Sequence, residues 1–205
     1  MSNRLKVYRY IKESIIARKF LPGEMIYERD IALELGVSRS PVREALQNLQ
    51  DEGWLTVMPR RGSVVNPLSP VEIEEVLQIR TIIAAASLHI AAKRMGASDT
   101  AYLHSLIVRQ EKAAAANDRH TFLEVDMEFH LTLVRLTGNR RLVGIAGNLL
   151  DSFRRIAAEV IQMEGFSASS VDDHKDIMEA LAQGDVKKAR NIMAVHIMGT
   201  QDMLL

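Results

Sequence analysis

The chain has 205 residues, of which 47% are apolar, enough for two domains that each bury a core. It contains no cysteine, which excludes disulfide bonds and suits a reducing compartment, and its 26 basic residues balance its 26 acidic residues. Its longest apolar run, residues 82–92, is interrupted by Ser87 and His89 and is shorter than the roughly 20 residues that span a bilayer, so we expect a cytoplasmic protein without a membrane segment.

The charges are unevenly divided along the chain. Residues 1–66 hold 11 Lys and Arg against 8 Asp and Glu, whereas residues 67–205 hold 15 against 18. The first part therefore carries +3 and the second −3. This sign favours an N-terminal nucleic-acid-binding part joined to a part with another task.

Two helices are predicted before residue 36. Residues 4–19 have the apolar spacing of an amphipathic helix, which ends at Leu21-Pro22-Gly23. A second helix over residues 28–35 stops at Gly36, because glycine readily adopts the left-handed conformation of a helix end.

A third helix follows within a few residues of this corner. Ser38 or Ser40 can cap it, and Pro41 falls in its first turn, where a missing N–H costs nothing. Its apolar arc holds Val42, Ala45, Leu46 and Leu49, and its polar arc holds Arg39, Arg43 and Gln47. The apolar arc packs on a core, and the arginines suit the major groove of DNA. The alternative is a small helical corner with solvated arginines.

Two predicted strands complete the first domain. Residues 54–58 and 63–66 have strand-like composition, and the turn between them, Pro59-Arg60-Arg61-Gly62, is basic. Three helices followed by a hairpin with a cationic tip indicate a winged helix-turn-helix over residues 1–66.

Residues 6–66 resemble the DNA-binding domain of the GntR family of bacterial transcription regulators, most closely in the segment GVSRSPVREAL at 36–46. The resemblance implies that operator DNA is contacted by Arg29, Arg39, Ser40, Arg43 and the wing-tip Gly62, and we assign Arg61 the same role. Tyr27 departs from the small capping residue of relatives, which weakens the start of the second helix.

The remainder of the chain is predicted to be all-α. Two prolines mark a linker at residues 67–70. Turn-forming residues divide the domain at 71–205 into six helices, near 70–95, 99–116, 119–137, 140–163, 171–183 and 185–203. No strand-like alternation follows the linker, so we expect a six-helix bundle.

Four polar side chains on the apolar faces of this bundle can converge. Asp126 and His130 lie one turn apart on one helix. His174 lies 10 residues before the turn at Gly184 and His196 lies 12 after it, so both reach a similar height in an antiparallel pair. Each histidine alone is more typical of a satisfied core residue, but four together predict a divalent metal site for zinc, nickel or another late first-row ion.

The same residues resemble the FCD domain, the C-terminal domain of FadR-type regulators, and the six helices are similar to its VanR-like subgroup. The resemblance implies that Asp126, His130, His174 and His196 are metal ligands and that a small organic acid binds beside the metal. Arg80 could supply a second contact to the carboxylate of this effector; the alternative is a solvated or interface arginine.

The helix over residues 76–92 is apolar nearly all round, which favours a homodimer with one face in the core and one in the interface. We therefore expect a dimeric transcription repressor whose affinity for operator DNA is controlled by an acid bound at the metal. Two alternatives stay open: a DNA-binding dimer with a purely structural metal, and a metal-dependent enzyme tethered to DNA. The sequence shows no spare inward carboxylate or histidine as a general base, so we predict no enzymatic activity.

Overall fold

The computed structural model describes residues 2–204. The chain divides into two compact units, with the boundary between Ser69 and Pro70.

The first unit is the predicted winged helix-turn-helix. It contains α1 (Asn3–Ile16), β1 (Met25–Ile26), α2 (Glu28–Leu35), α3 (Arg39–Asp51), β2 (Leu55–Met58) and β3 (Gly62–Val65). The strands form an antiparallel sheet in the order β1-β3-β2, in which Met25 pairs with Val64 and Leu55 with Val65. Strand β1 was not predicted, because two residues carry no recognisable alternation.

The corner between α2 and α3 follows the local signals in the sequence. Gly36 has a left-handed φ of 63°, and Pro41 lies in the first turn of α3. Ser38 is the N-cap residue, although its side chain makes no capping hydrogen bond, and neither does that of Tyr27 before α2. The apolar arc of α3 is buried, so its basic arc faces outward.

Helix α1 differs in detail from its prediction. It ends at Ile16 instead of residue 19, and Arg18 then takes a left-handed φ of 57°. Leu5 is 38% exposed, whereas Val7 is fully buried. The inner face of α1 therefore includes Val7, Ile11 and Ile15.

The second unit is the predicted six-helix bundle. Its helices are α4 (Pro70–Ala91), α5 (Ala97–Ala115), α6 (Arg119–Leu136), α7 (Arg140–Val160), α8 (Phe166–Ala182) and α9 (Val186–Leu204). Pro70, predicted to belong to the linker, is the first residue of α4, a position that tolerates proline. Helix α8 begins five residues before its predicted start at 171, because Gly165 alone breaks the helix and the serines after it continue it.

The bundle is arranged so that α4 packs on α6, α7 and α9, while α8 packs on α5 and α9. The core includes the fully buried side chains of Leu77, Leu88, Leu103, Phe122, Phe129, Leu133, Ile156 and Ile177. Polar side chains of α4, α5, α6, α8 and α9 meet at one place in this core. Within residues 2–204 no helix has the length and apolarity needed to cross a membrane.

Candidate metal centre and nucleic-acid interface

Three helices of the bundle bring Asp126, His130, His174 and His196 together. One ligand atom from each lies within 4.8 Å of those from the other three. His130 Nε2 lies 3.3 Å from His196 Nε2 and 3.7 Å from Asp126 Oδ2, and His174 Nε2 lies 3.8 Å from Asp126 Oδ1. Nitrogen and oxygen ligands about 2 Å from a shared ion lie roughly 3–4 Å apart. The cluster therefore has the dimensions of a metal site.

The local structure explains why these side chains meet. Asp126 and His130 are one turn apart on α6 and face the core. Helices α8 and α9 pack side by side after the turn at Gly184, which places the rings of His174 and His196 4.8 Å apart. Phe129 stacks on the His174 ring at 4.1 Å and closes one side of the cluster.

A hydrogen bond assigns the tautomer of His174. Its Nδ1 lies 2.8 Å from the side-chain oxygen of Gln110, a group that only accepts, so Nδ1 carries the proton and donates it. The lone pair on Nε2 then faces the cluster. This Nε2 is buried and has no hydrogen-bond partner among residues 2–204. An unpaired buried acceptor is costly, and a cation at this position would satisfy it.

His196 is oriented in the same way by a different residue. Its Nδ1 donates to Asp173 Oδ2 at 3.1 Å, which leaves the Nε2 lone pair toward His130. The two Nε2 atoms face each other at 3.3 Å, where either a proton or a shared cation must lie between them. Histidine ligands of metals commonly donate their other ring nitrogen to such an outer partner. His174 and His196 each have such a partner, in Gln110 and Asp173.

The environment of His130 and His174 favours the neutral imidazole. Burial lowers the pKa of both His130 and His174 well below the usual range for histidine, and repulsion from Arg80 and His196 lowers it further. A neutral imidazole is the form that binds a metal ion. The donor set therefore fits a divalent cation chemically as well as in its dimensions.

Asp126 is held by three donors. Gln110 Nε2 donates to Oδ1 at 3.0 Å, Ser170 Oγ donates to Oδ1 at 3.4 Å, and Arg80 donates to Oδ2 at 3.4 Å. Gln110 is fully buried and holds two members of the cluster at once, since its other end accepts from His174.

Sequence reasoning missed Gln110, Ser170 and Asp173. A signal was present for Gln110, because it lies seven residues after Leu103 and three after Ile107 on the inner face of α5. Asp173 adjoins His174 in the sequence but contacts His196, so spacing along one helix could not reveal its partner.

Arg80 lies inside the bundle, so the alternative of a solvated arginine is wrong. Its guanidinium contacts Asp126 through one nitrogen at 3.4 Å and lies over the Phe153 ring, 5.5 Å from the ring centroid. With His130 it forms the polar end of a cavity of about 30 Å³ between α4, α6, α7 and α9. The cavity in this conformation holds about one water molecule.

The basic arc of the first unit is exposed, and the Arg43 side chain in it is held in place by Glu28. Arg43 donates from Nε and from a terminal nitrogen to the two carboxylate oxygens of Glu28, both at 3.0 Å, and its side chain remains 71% exposed. This fork lowers the pKa of the Glu28 carboxyl. The other predicted contact residues of α2 and α3, Arg29, Arg39 and Ser40, are also exposed. The structure places all four where a partner can reach them.

The wing tip holds Arg61 and Gly62 at the turn between β2 and β3. Arg61 is exposed. Gly62 has a φ of 121°, and a Cβ at this position would lie 2.9 Å from the carbonyl oxygen of Ile26. Only glycine fits between the turn and β1, so Gly62 has a structural role whether or not it contacts DNA.

Comparison with known proteins covers both units. Residues 75–199 match the FCD domain, and residues 3–65 match the family described as bacterial regulatory proteins, gntR family. The chain belongs to the GntR family. It is a DNA-binding transcription regulator with an FCD domain, as the resemblance predicted. This family and the relatives below are transcription regulators, so the prediction that the chain is not an enzyme is confirmed.

Its relatives include regulators of similar length. An uncharacterized HTH-type transcriptional regulator in an unstable DNA locus of Streptomyces ambofaciens is 30% identical over 98% of this chain and 84% of its own. The HTH-type transcriptional repressor RspR of Escherichia coli is 26% identical over 94% of this chain and 84% of its own. A GntR transcriptional regulator from Rhodococcus sp. RHA1 has the same fold, with a TM-score of 0.80 at 22% identity and coverage of 100% and 98%.

Proposed function

We propose that this GntR-family regulator represses transcription as a homodimer on operator DNA and releases the DNA when a small organic acid binds beside a metal ion. Asp126, His130, His174 and His196 would hold the ion. The observation that carries the proposal is the convergence of these four side chains in a buried cluster with an unpaired imidazole nitrogen. Repression is supported by the relative that is named a transcriptional repressor.

Zinc or nickel suits this donor set best, because three imidazole nitrogens and one carboxylate oxygen are ligands of late first-row ions. The role of the ion depends on how many ligands it takes. Four protein ligands complete the tetrahedral shell typical of structural zinc, which corresponds to the alternative of a purely structural metal. An ion with five or six ligands would keep a position for the effector.

The effector's carboxylate would bind that open position and accept a second contact from Arg80. Because the cavity beside Arg80 is only about 30 Å³, an organic acid cannot enter without displacing the helices or side chains around it. Helix α4 forms one wall and begins at Pro70, directly after the linker. As a hypothesis, displacement of α4 is transmitted through the linker and changes the spacing of the two DNA-binding domains. The acid acts only if it prefers one of the two arrangements.

Operator affinity should weaken when an acid binds the metal-loaded protein. Allosteric coupling is typically about 5–150-fold in affinity, so we expect a change of this order for at least one acid in a panel of acetate, succinate, benzoate and gluconate. The measurement is fluorescence anisotropy on a duplex selected from a random library, with the metal-free protein as control. Affinity that stays constant with every acid would favour the purely structural metal.

An exposed apolar face of α4 supports the homodimer. Val71, Ile79 and Ile82 lie on this face, and Ile82 is 69% exposed, whereas Leu77 and Leu88 on the opposite face are buried. We expect Ile82→Asp to shift the protein from dimer to monomer at micromolar concentration in sedimentation velocity. Val195→Asp is the control, since Val195 is equally exposed but lies on α9. A wild-type monomer, or equal dissociation by both variants, would contradict this interface.

A further inference from the structure

We propose that the effector is an acid with an apolar body, either aliphatic or aromatic, and not a hydroxylated acid of the sugar-acid type. The inference rests on the proposed function, because it assumes that a carboxylate binds at the metal. The observation behind it is the lining of the cavity that adjoins the cluster.

The cavity has one polar end. Among the described residues that line it, Arg80 and His130 alone carry nitrogen or oxygen atoms in their side chains. The remaining walls are hydrocarbon or thioether, formed by residues such as Ile83, Val134, Ala146, Leu150 and Phe153. All these residues belong to helices, where backbone N–H and C=O groups bond to each other. A ligand hydroxyl in this cavity would lack a partner.

The side chains packed against this wall are apolar as well. Ile83, Val134 and Ala146 form a buried cluster, against which Leu131, Leu142, Val143 and Leu149 pack. A ligand that extends away from Arg80 between α6 and α7 therefore continues to meet side chains without polar atoms. A longer apolar body therefore fits on this side better than a body with polar groups.

Enlargement of the cavity also favours an apolar ligand. Met127 and Met193 line it and are both buried, and unbranched thioether side chains rearrange more readily than branched ones. Their movement admits a ligand without providing a hydrogen-bond donor. An apolar body recovers contacts with the displaced side chains, whereas each unpaired hydroxyl weakens binding by about tenfold.

Hexanoate and gluconate separate these two classes, because both have six carbons and one carboxylate and differ in five hydroxyl groups. Benzoate serves as a compact apolar acid. With metal-loaded full-length protein in isothermal titration calorimetry, we expect hexanoate or benzoate to bind at least about 100-fold more tightly than gluconate, since several hydroxyls stay unpaired. Gluconate binding as tightly as both apolar acids, or more tightly, overturns this inference and leaves the proposed acid effector intact. If none of the three acids binds, this inference fails, and the proposed acid effector is then decided by the operator-affinity panel.

A substitution in the wall provides a second test. Leu150 is partly buried and lines the cavity, so Leu150→Asn adds a donor and an acceptor there with little risk to folding. We expect it to reduce the preference for hexanoate over gluconate about tenfold, the effect of pairing one hydroxyl. Leu181→Asn on α8 is the control, because Leu181 is also partly buried but does not line the cavity. An unchanged preference in a folded Leu150→Asn protein overturns the proposed lining.

Discussion

Replacing His174 by alanine should remove the metal from the protein. We expect about one ion per chain in the wild type and at least a roughly 100-fold loss of affinity in His174→Ala, because a ligand matters more than an outer partner, whose loss costs about 10–100-fold. His196→Ala should lose metal affinity to the same extent. The measurement is elemental mass spectrometry, with chelator competition for affinity, on protein reconstituted with zinc, nickel or manganese.

Two further variants make this result specific. His104→Ala removes an exposed histidine from α5 of the same bundle and should bind metal like the wild type. The metal affinity of Gln110→Leu should lie between those of His104→Ala and His174→Ala, since this substitution releases Asp126 and His174 without removing a ligand. Metal retained in His174→Ala would show that the cluster is a packing feature and would leave the effector class open. Metal lost in His104→Ala as well would show that the loss is not specific to the cluster.

The parts of the fold that sequence reasoning predicted are those determined locally. The left-handed Gly36 and the first-turn Pro41 end and begin helices through their own backbone preferences, so the corner was visible in the sequence. Strand β1 is different, because its two residues become a strand only through pairing with Ser63 and Val64. Likewise the reason for glycine at position 62 is the backbone of Ile26, which no local pattern reveals.

The candidate site divides in the same way. Asp126 and His130 were found from helical spacing, and the pair His174 and His196 from their distances to one turn. The contact between Gln110 and His174 joins residues 64 apart and depends on how α5 packs on α8. Arg80 was ambiguous in the sequence, since an arginine in an apolar helix is equally compatible with an interface. Its buried pairing with Asp126 places Arg80 in the core and not at the surface, and its contact with an effector stays a prediction.

Replacing Arg43 by alanine should strongly weaken operator binding. In the free protein Glu28 holds both donors of the Arg43 fork, which keeps the guanidinium extended at the surface of α3. Exposed ion pairs contribute little to stability, so a base edge or a phosphate can replace Glu28 at low cost. A bidentate contact to a base discriminates by roughly tenfold or more, and in a homodimer the loss occurs in both half-sites. We therefore expect affinity to fall about 100-fold.

The control for this variant must carry the same change in charge. Arg190→Ala removes one exposed cation from α9, outside the DNA-binding domain, and should leave affinity nearly unchanged. Salt dependence separates the two kinds of contact that Arg43 could make: losing a phosphate contact lowers the salt slope by about one per half-site, whereas losing a base contact mainly relaxes sequence preference. Equal losses in both variants would indicate that overall charge, and not the position of Arg43 on α3, determines binding.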